Sequence, residues 1–204
     1  MMAPVQGSLL TFADTAAPRP LAPPSVRTVL DGGAWVDLHH AWMSGADPLF
    51  ERLLLDVPWR AERRRMYDRV VDVPRLTAFY GHGAPLPDPA LDAARQELDR
   101  GYGRFDTVGM ALYRTGDDSV AWHGDTAGRG STEDVLVAIL SLGFPRTLLL
   151  RPRGGGRALR FDLAGGDLLV MGGSCQRTWE HAVPKTKKPV GPRMSVQFRP
   201  RDVR

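Results

Sequence analysis

The fold of this 204-residue chain is decided between residues 135 and 173, in the sequence VLVAILSLGFPRTLLLRPRGGGRALRFDLAGGDLLVMGG. Apolar runs rich in Val, Leu and Ile occupy residues 135–142, 147–150 and 167–171, and Gly- and Pro-containing segments separate them. Short apolar runs bounded by turn residues predict β-strands. Strands at this spacing predict a sandwich or barrel, so we expect a mainly β domain with flanking helices, arranged as a double-stranded β-helix (jelly roll).

Upstream of this stretch, Trp122-His123-Gly124-Asp125 forms an H-x-D pattern, and His181 follows the last apolar run. Side chains two residues apart on an extended segment point to the same side. Two imidazoles and one carboxylate can bind one face of Fe(II) and leave the other open for O2 and a cosubstrate. We therefore interpret His123, Asp125 and His181 as metal ligands and catalytic residues. An isolated H-x-D is more often a solvated loop or a His paired with an acid, so the neighbouring patterns matter.

Two further segments indicate a ligand cavity. In residues 193–199, RMSVQFR, an alternating strand places Arg193 and Arg199 on one face. Guanidinium groups bind carboxylates through two parallel hydrogen bonds, which suits a dicarboxylate such as 2-oxoglutarate. Residues 106–114 predict another strand, in which Gly109, Ala111 and Tyr113 share a small face that can line a cavity. Solvated arginines and a core tyrosine are the alternative interpretations.

Six segments of this chain resemble those of the AlkB-type Fe(II)- and 2-oxoglutarate-dependent nucleic-acid demethylases, and they occur in the same order as in that family. Two of the matching segments, PRLTAFYG at residues 74–81 and WEHAVPK at residues 179–185, are typical of the subgroup that repairs alkylated bases. The segments are residues 74–81 (PRLTAFYG), 112–114 (LYR), 118–125 (DSVAWHGD), 166–173 (GDLLVMGG), 179–185 (WEHAVPK) and 192–199 (PRMSVQFR).

The resemblance implies oxidative demethylation of N-alkylated bases, such as 1-methyladenine and 3-methylcytosine, in DNA or in RNA. Fe(II), 2-oxoglutarate and O2 would be required, and the products would be succinate, CO2 and formaldehyde. It also implies residue roles. The metal ligands are His123, Asp125 and His181; the 2-oxoglutarate contacts are Tyr113, Arg193, Ser195 and Arg199; the substrate contacts are Tyr80, Trp122, Arg75, Arg151 and Arg153. Phe79, Tyr80 and Trp122 are possible pocket aromatics, although core packing is the favoured role of Phe79 and Trp122.

The chain departs from the family pattern in three places. Ala111 and Ser195 replace asparagines that help to hold 2-oxoglutarate, which removes hydrogen bonds worth about 0.5 to 1.5 kcal/mol each. Thr126 and Ala127 stand where acidic residues commonly follow the metal-binding aspartate. Residues 82–87 lack the aromatics that often stack on the flipped base. Two alternatives therefore stay open: an oxygenase of the same fold acting on a protein or small molecule, and a catalytically idle nucleic-acid-binding jelly roll.

The charge distribution favours a polyanionic partner. The net charge is +4, and basic residues cluster at 60–65, 151–160 and 185–188, which we expect on loops flanking the site. Such clusters neutralise phosphates without reading the base sequence. A solvated face is the alternative for any one cluster.

The remaining sequence predicts one domain. We expect residues 1–28 to form an extended N-terminal arm, with a short strand at 9–12, and residues 29–204 to form the dioxygenase domain. Helices are predicted at 47–55 and 88–100. Cys175 is the single cysteine, which excludes an intrachain disulfide and a Cys-based zinc site. No secretory signal or membrane span is recognisable, so we expect a cytoplasmic monomer.

Overall fold

The structure is a computed structural model that describes residues 15–23, 26–66, 69–126 and 128–203. The helices are α1 (Ala46–Asp56), α2 (Pro89–Tyr102) and the short α3 (Cys175–Thr178). The strands are β1 (Ala17–Pro18), β2 (Val26–Val29), β3 (Trp35–His39), β4 (Met43–Ser44), β5 (Arg60–Met66), β6 (Arg69–Tyr80), β7 (Thr107–Tyr113), β8 (Val120–His123), β9 (Val137–Gly143), β10 (Arg146–Pro152), β11 (Leu159–Leu163), β12 (Leu168–Gly172), β13 (Trp179–Val183) and β14 (Arg193–Arg199).

The described strands form two main antiparallel sheets, which confirms the predicted jelly roll. The larger sheet has eight strands in the order β2-β3-β12-β9-β14-β7-β6-β5, and the smaller has four in the order β11-β10-β13-β8. β1 and β4 form a separate two-stranded ribbon. An apolar core between the two main sheets contains residues of both, among them Val137, Ile139, Leu148 and Leu150.

The apolar runs behave as predicted, because β9, β10 and β12 begin and end within two residues of the expected strands. β9 lies in the middle of the large sheet and is apolar on both faces. Val137 and Ile139 point into the core between the sheets, whereas Ala138, Leu140 and Leu142 belong to the core beneath the helices. A strand that is buried on both faces has apolar residues at consecutive positions, as β9 has.

Helices α1 and α2 cover the outer face of the large sheet, close to the predicted ranges. α2 begins after Asp88, whose carboxylate accepts a hydrogen bond from the backbone N–H of Ala90 at 2.8 Å. Pro89 suits the first helical turn, where its missing N–H costs nothing. Leu91, Ala94 and Leu98 are buried as predicted. The helices therefore leave the inner face of the sheet available for a cavity.

The pairing of the first described strands bears on two predictions about the chain's organisation. Residues 60–65 do not lie on a loop as expected; they form the edge strand β5, because they pair with β6. β2 pairs with β3 across the predicted boundary between residues 28 and 29, and the early strand at 9–12 lies outside the described residues. The division into arm and domain stays a prediction. In the described part of the chain, no helix is long and apolar enough to cross a membrane.

Candidate active site between the two sheets

A cavity of about 690 Å³ lies between the two sheets and contains most of the predicted site residues. β8 and β13 of the small sheet form one wall, and β6, β7 and β14 of the large sheet form the other. The lining residues include Glu62, Arg75, Thr77, Phe79, Gly109, Ala111, Tyr113, His123, Asp125, Thr126, Ile139, Leu148, His181, Val183, Arg193, Ser195, Gln197 and Arg199.

The fold brings His181 directly beside the H-x-D segment. β13 pairs with β8 so that His181 is opposite His123, and the two ring centroids are 4.2 Å apart. The Nδ1–H of His123 donates to the carbonyl of Ala121 at 2.8 Å. This bond leaves Nε2 of His123 as the atom available to a metal, since the partner of one ring nitrogen fixes the role of the other.

The ionisation of His181 and Asp125 suits metal binding. Burial lowers the pKa of His181 to about 3, so its imidazole is neutral at neutral pH. Burial alone would raise the pKa of Asp125, but the charge of Arg199 and its hydrogen bond to the carboxylate oppose burial, and that pKa is held at about 2. A neutral imidazole and an ionised carboxylate are the forms that bind metals.

The Asp125 carboxylate is held by Arg199, with Nε–Oδ2 and Nη2–Oδ1 distances of 3.0 and 3.3 Å. Within the described ranges, no three His, Cys, Asp or Glu side chains converge into a finished metal site. The fit to Fe(II) therefore rests on the chemistry of the donors, two imidazoles and one carboxylate on the same wall of one cavity.

Arg193 is the strongest sign that the cavity takes an anion. The side chain is 1% exposed, and its Nε donates to Ser141 Oγ at 3.2 Å. Neither Nη1 nor Nη2 makes a hydrogen bond of good geometry among the described residues, and burial lowers the pKa of the guanidinium although the nearby Tyr113 opposes this. A buried charge without a partner is costly, so this guanidinium fits the carboxylate of a bound 2-oxoglutarate. Tyr113 lies opposite it in the β14–β7 register, with the guanidinium carbon 5.1 Å from the ring centre.

The two positions that depart from the family pattern lie opposite each other. Ser195 pairs with Ala111 across β14 and β7, and both line the cavity. Ser195 Oγ accepts a hydrogen bond from Gln197 Nε2 at 2.6 Å. Nearby, a Cβ on Gly109 would lie 2.7 Å from Arg199 Nη1. Glycine at 109 therefore leaves Arg199 free to reach Asp125.

The structure places the predicted pocket aromatics differently from our expectation. Arg75, Thr77 and Phe79 of β6 line the cavity, whereas Tyr80 packs against the core beneath the helices. Successive side chains of a strand alternate between faces, so Phe79 and Tyr80 cannot both face the cavity. Phe79 is 53% exposed and is the aromatic at the cavity mouth, contrary to the core role that we assigned to it.

Trp122 and the two predicted phosphate-binding arginines lie outside the cavity. His123 faces inward, so its neighbour Trp122 faces outward, where it lines a shallow depression with Lys185. The guanidinium of Arg151 covers the Trp122 ring, with the guanidinium carbon 4.0 Å from the ring centre. The Nη2 atom of Arg151 lies 3.3 Å from Oε2 of Glu180. Arg153 donates to the backbone carbonyls of Arg177 and Gln176.

Sequence reasoning missed residues that position the site. Ser141 orients Arg193, and Arg146 donates to the carbonyls of Thr115, Asp118 and Pro184 near Tyr113. Gln176 of α3 is buried, and its Oε1 accepts from the backbone N–H of Asp125 at 2.9 Å. No local pattern marks these residues, because each acts on a segment that is remote in the chain.

Replacing Gln176 by Leu is expected to destabilise the protein by about 1 to 3 kcal/mol, because the backbone N–H of Asp125 loses its partner in a buried site. Denaturant unfolding measures this difference. Gln96→Leu, at an exposed position of α2, serves as the control and should change the free energy of unfolding little. Equal effects in the two variants would contradict the positioning role.

Comparison with known proteins agrees with this geometry. A family model described as "2OG-Fe(II) oxygenase superfamily" matches residues 74–199. Human alpha-ketoglutarate-dependent dioxygenase alkB homolog 3 is 32% identical, covering 88% of this chain and 68% of that protein. Human DNA oxidative demethylase ALKBH2 is 27% identical, covering 76% and 68%. The solved structure of OsALKBH1 has the same fold, with a TM-score of 0.57 and 16% identity over 84% of this chain and all of that one.

The family model spans more than half of the chain, so the class is that of the 2-oxoglutarate- and Fe(II)-dependent oxygenases. Within that class, the similarity to alkB homolog 3 along most of the sequence shows that the chain belongs to the AlkB family. Membership implies Fe(II) as the metal cofactor, and 2-oxoglutarate and O2 as the cosubstrates.

Proposed function

We propose that this protein removes methyl groups from the ring nitrogens of alkylated bases in nucleic acid, using Fe(II), 2-oxoglutarate and O2. The observation that carries the proposal is one cavity with His123 and His181 on one wall, the unpaired guanidinium of Arg193 on the other, and Phe79 at its mouth. The relative named DNA oxidative demethylase supports DNA as the polymer, with RNA as the second candidate.

The two walls of the cavity would bind different groups. His123, Asp125 and His181 would hold the iron, and Arg193 with Tyr113 would hold the distal carboxylate of 2-oxoglutarate. Arg199 keeps Asp125 ionised and oriented. When bound, iron with 2-oxoglutarate and O2 supplies the oxidant that hydroxylates an N-methyl group, which then leaves as formaldehyde.

The substrate must reach this cavity as an extruded base. Methylation of the pairing edge weakens base pairing, which lowers the few kcal/mol needed to extrude the base. 1-Methyladenine and 3-methylcytosine are therefore the candidate substrates. Among the described residues that line the cavity, the arginines are Arg75, Arg193 and Arg199. We therefore expect phosphate contacts on the outer surface, from Arg151, Arg153 and Lys185.

The proposal is tested by incubating the protein with iron, 2-oxoglutarate, air and a panel of methylated DNA and RNA oligonucleotides. Mass spectrometry should show loss of the N-methyl group together with stoichiometric succinate and formaldehyde. Succinate release without loss of methyl groups would favour a protein or small-molecule substrate. Binding of oligonucleotides without any succinate would favour the idle binding module.

Phe79→Ala is expected to reduce demethylation by roughly 5- to 150-fold while binding to the strand changes little, because base stacking on an aromatic ring is worth about 1 to 3 kcal/mol. Rates of demethylation and strand affinity are measured on the same oligonucleotide. Leu54→Ala, at a partly exposed position of α1 outside the cavity, is the control. An unchanged rate in Phe79→Ala would remove this ring from the base pocket.

A further inference from the structure

A buried arginine outside the cavity fixes the backbone at the end of the two sheets where Tyr113 lies. Arg146 is the first residue of β10 and is buried. Its Nη1 donates to the carbonyl of Thr115 at 3.1 Å, and its Nη2 donates to the carbonyls of Asp118 at 3.1 Å and of Pro184 at 2.8 Å. All three acceptors are backbone oxygens, so Arg146 fixes the course of the chain there.

The three carbonyls belong to two connections that carry the chain between the large and the small sheet. Residues 114–119 lead from β7 to β8, and residues 184–192 lead from β13 to β14. The connections also touch each other, because the backbone N–H of Thr186 donates to the carbonyl of Gly116 at 2.9 Å. A Cβ on Gly116 would collide with the carbonyl oxygen of Thr186, so this approach requires glycine. Arg146 therefore joins two connections that already lie in direct contact.

Arg146 reaches the proposed cosubstrate site through the ring of Tyr113. The guanidinium carbon of Arg146 lies 5.8 Å from the centre of that ring, and the guanidinium carbon of Arg193 lies 5.1 Å from it. Both distances are within the range of cation–π attraction. In the large sheet Arg193 is opposite Tyr113 on one side and Gly143 on the other, and Arg146 follows Gly143 by three residues. Arg146 itself does not line the cavity, so any effect on a bound anion passes through its neighbours.

The two guanidinium groups concentrate positive charge at this end of the cavity. In the described part of the chain, Arg146 and Arg193 donate hydrogen bonds to no carboxylate. The nearby carboxylate of Asp118 is bound by Arg114, at 2.8 and 3.0 Å. Burial lowers the pKa of Arg193, Tyr113 opposes this, and the charge of Arg146 lowers that pKa further. An anion bound at Arg193 would offset this repulsion, so both charges favour a carboxylate there.

We propose that Arg146 is a positioning residue for the binding of 2-oxoglutarate. It holds the two connections together and thereby keeps the ring of Tyr113 beside Arg193, and its charge adds to the attraction that Arg193 exerts on the distal carboxylate. This inference rests on the cosubstrate site of the proposed function and adds a residue to it, but it does not depend on which substrate is oxidised.

The test measures the affinity for 2-oxoglutarate by calorimetry on the iron-loaded protein without O2, which requires no turnover. Arg146→Met should raise the Kd about tenfold, an effect within the range for residues that contact each other in one network. Arg146→Lys keeps the charge but loses the planar set of donors, so its Kd should lie between those of the wild-type protein and Arg146→Met. At saturating 2-oxoglutarate, kcat should change less than about twofold, because only the binding of the cosubstrate is weakened.

A double-mutant cycle shows whether Arg146 acts through the proposed carboxylate contact. In the Arg193→Met background, Arg146→Met should raise the KM for 2-oxoglutarate less than about threefold further, because the carboxylate has already lost its main partner. A full tenfold loss in that background would overturn the inference, since the two residues would then act independently. Arg100→Met makes the same chemical change at an exposed position of α2 outside the cavity, and it should leave the Kd unchanged.

Denaturant unfolding separates positioning from a role in stability alone. Arg146→Met loses three hydrogen bonds and should unfold at a lower denaturant concentration. Lower stability with an unchanged Kd for 2-oxoglutarate would overturn the inference. If Arg146→Met does not fold, Arg146→Lys decides, and an unchanged Kd in that variant would equally overturn it.

The same binding data distinguish this inference from the proposed function. A raised Kd in both Arg146 variants of a protein that demethylates no methylated base supports the inference and contradicts the proposed demethylation. Demethylation by the wild-type protein together with equal Kd values in all variants supports the proposed function and overturns the role of Arg146.

Discussion

Replacing His123 or Asp125 by Ala is expected to abolish iron-dependent turnover of 2-oxoglutarate. Loss of an outer hydrogen-bond partner of a metal ligand costs roughly 10- to 100-fold in affinity or activity, and loss of a ligand itself should cost more. His123 lies partly exposed at the cavity wall, so its removal should leave the fold intact. Succinate release and metal titration by calorimetry measure the two effects separately.

His40→Ala is the matched control, because His40 is exposed and lies outside the cavity. Its turnover and metal affinity should equal those of the wild-type protein. Far-ultraviolet circular dichroism of each variant shows whether the fold is retained. Unchanged metal affinity in both His123→Ala and Asp125→Ala would show that these residues are not the ligands.

The second large effect is expected at Arg193. Arg193→Met should raise the KM for 2-oxoglutarate roughly 30-fold or more, because truncating a buried charge that pairs with a ligand costs about 2 to 5 kcal/mol. The same variant should unfold at an equal or higher temperature without ligand, since it removes a buried guanidinium whose Nη1 and Nη2 lack partners. 2-Oxoglutarate should raise the Tm of the wild-type protein and should no longer raise that of the variant.

Lys187→Met is the control for Arg193→Met, because Lys187 is exposed and lies outside the cavity. It should change neither the KM for 2-oxoglutarate nor the Tm shift that 2-oxoglutarate produces. Arg193→Lys keeps the charge but loses the planar pair of donors, so its KM should fall between those of the wild-type protein and Arg193→Met. Equal KM values in Arg193→Met and Lys187→Met would place the carboxylate elsewhere.

The sequence by itself was sufficient to predict strands β7, β9, β10, β12 and β14, and the residues of β7 and β14 that share a face. Alternation along β7 predicted that Gly109, Ala111 and Tyr113 face one way, and alternation along β14 predicted the same for Arg193 and Arg199. The H-x-D spacing predicted that His123 and Asp125 line one wall. These predictions depend on a period of two residues, which is local and can be read from the order of residues.

Tertiary structure alone decided which face of each strand became the cavity. Tyr80 and Phe79 are neighbours in a chain that alternates, and only the pairing Phe79↔Gly109 with β7 shows that Phe79 is the inner one. The same holds for Trp122 beside His123. It holds also for Glu62, which lies two residues from Arg60 and which the pairing Arg60↔Thr77 places on the cavity face of the sheet.

For the same reason, the sequence could not predict the residues that position the site. Gln176 meets Asp125 and Ser141 meets Arg193 through contacts between segments about fifty residues apart, 51 and 52 positions in the two cases. Local periodicity states which side chains point the same way along one strand. Which strand lies next to it, and in which register, depends on how the whole core packs, and that is decided only when both sheets have formed.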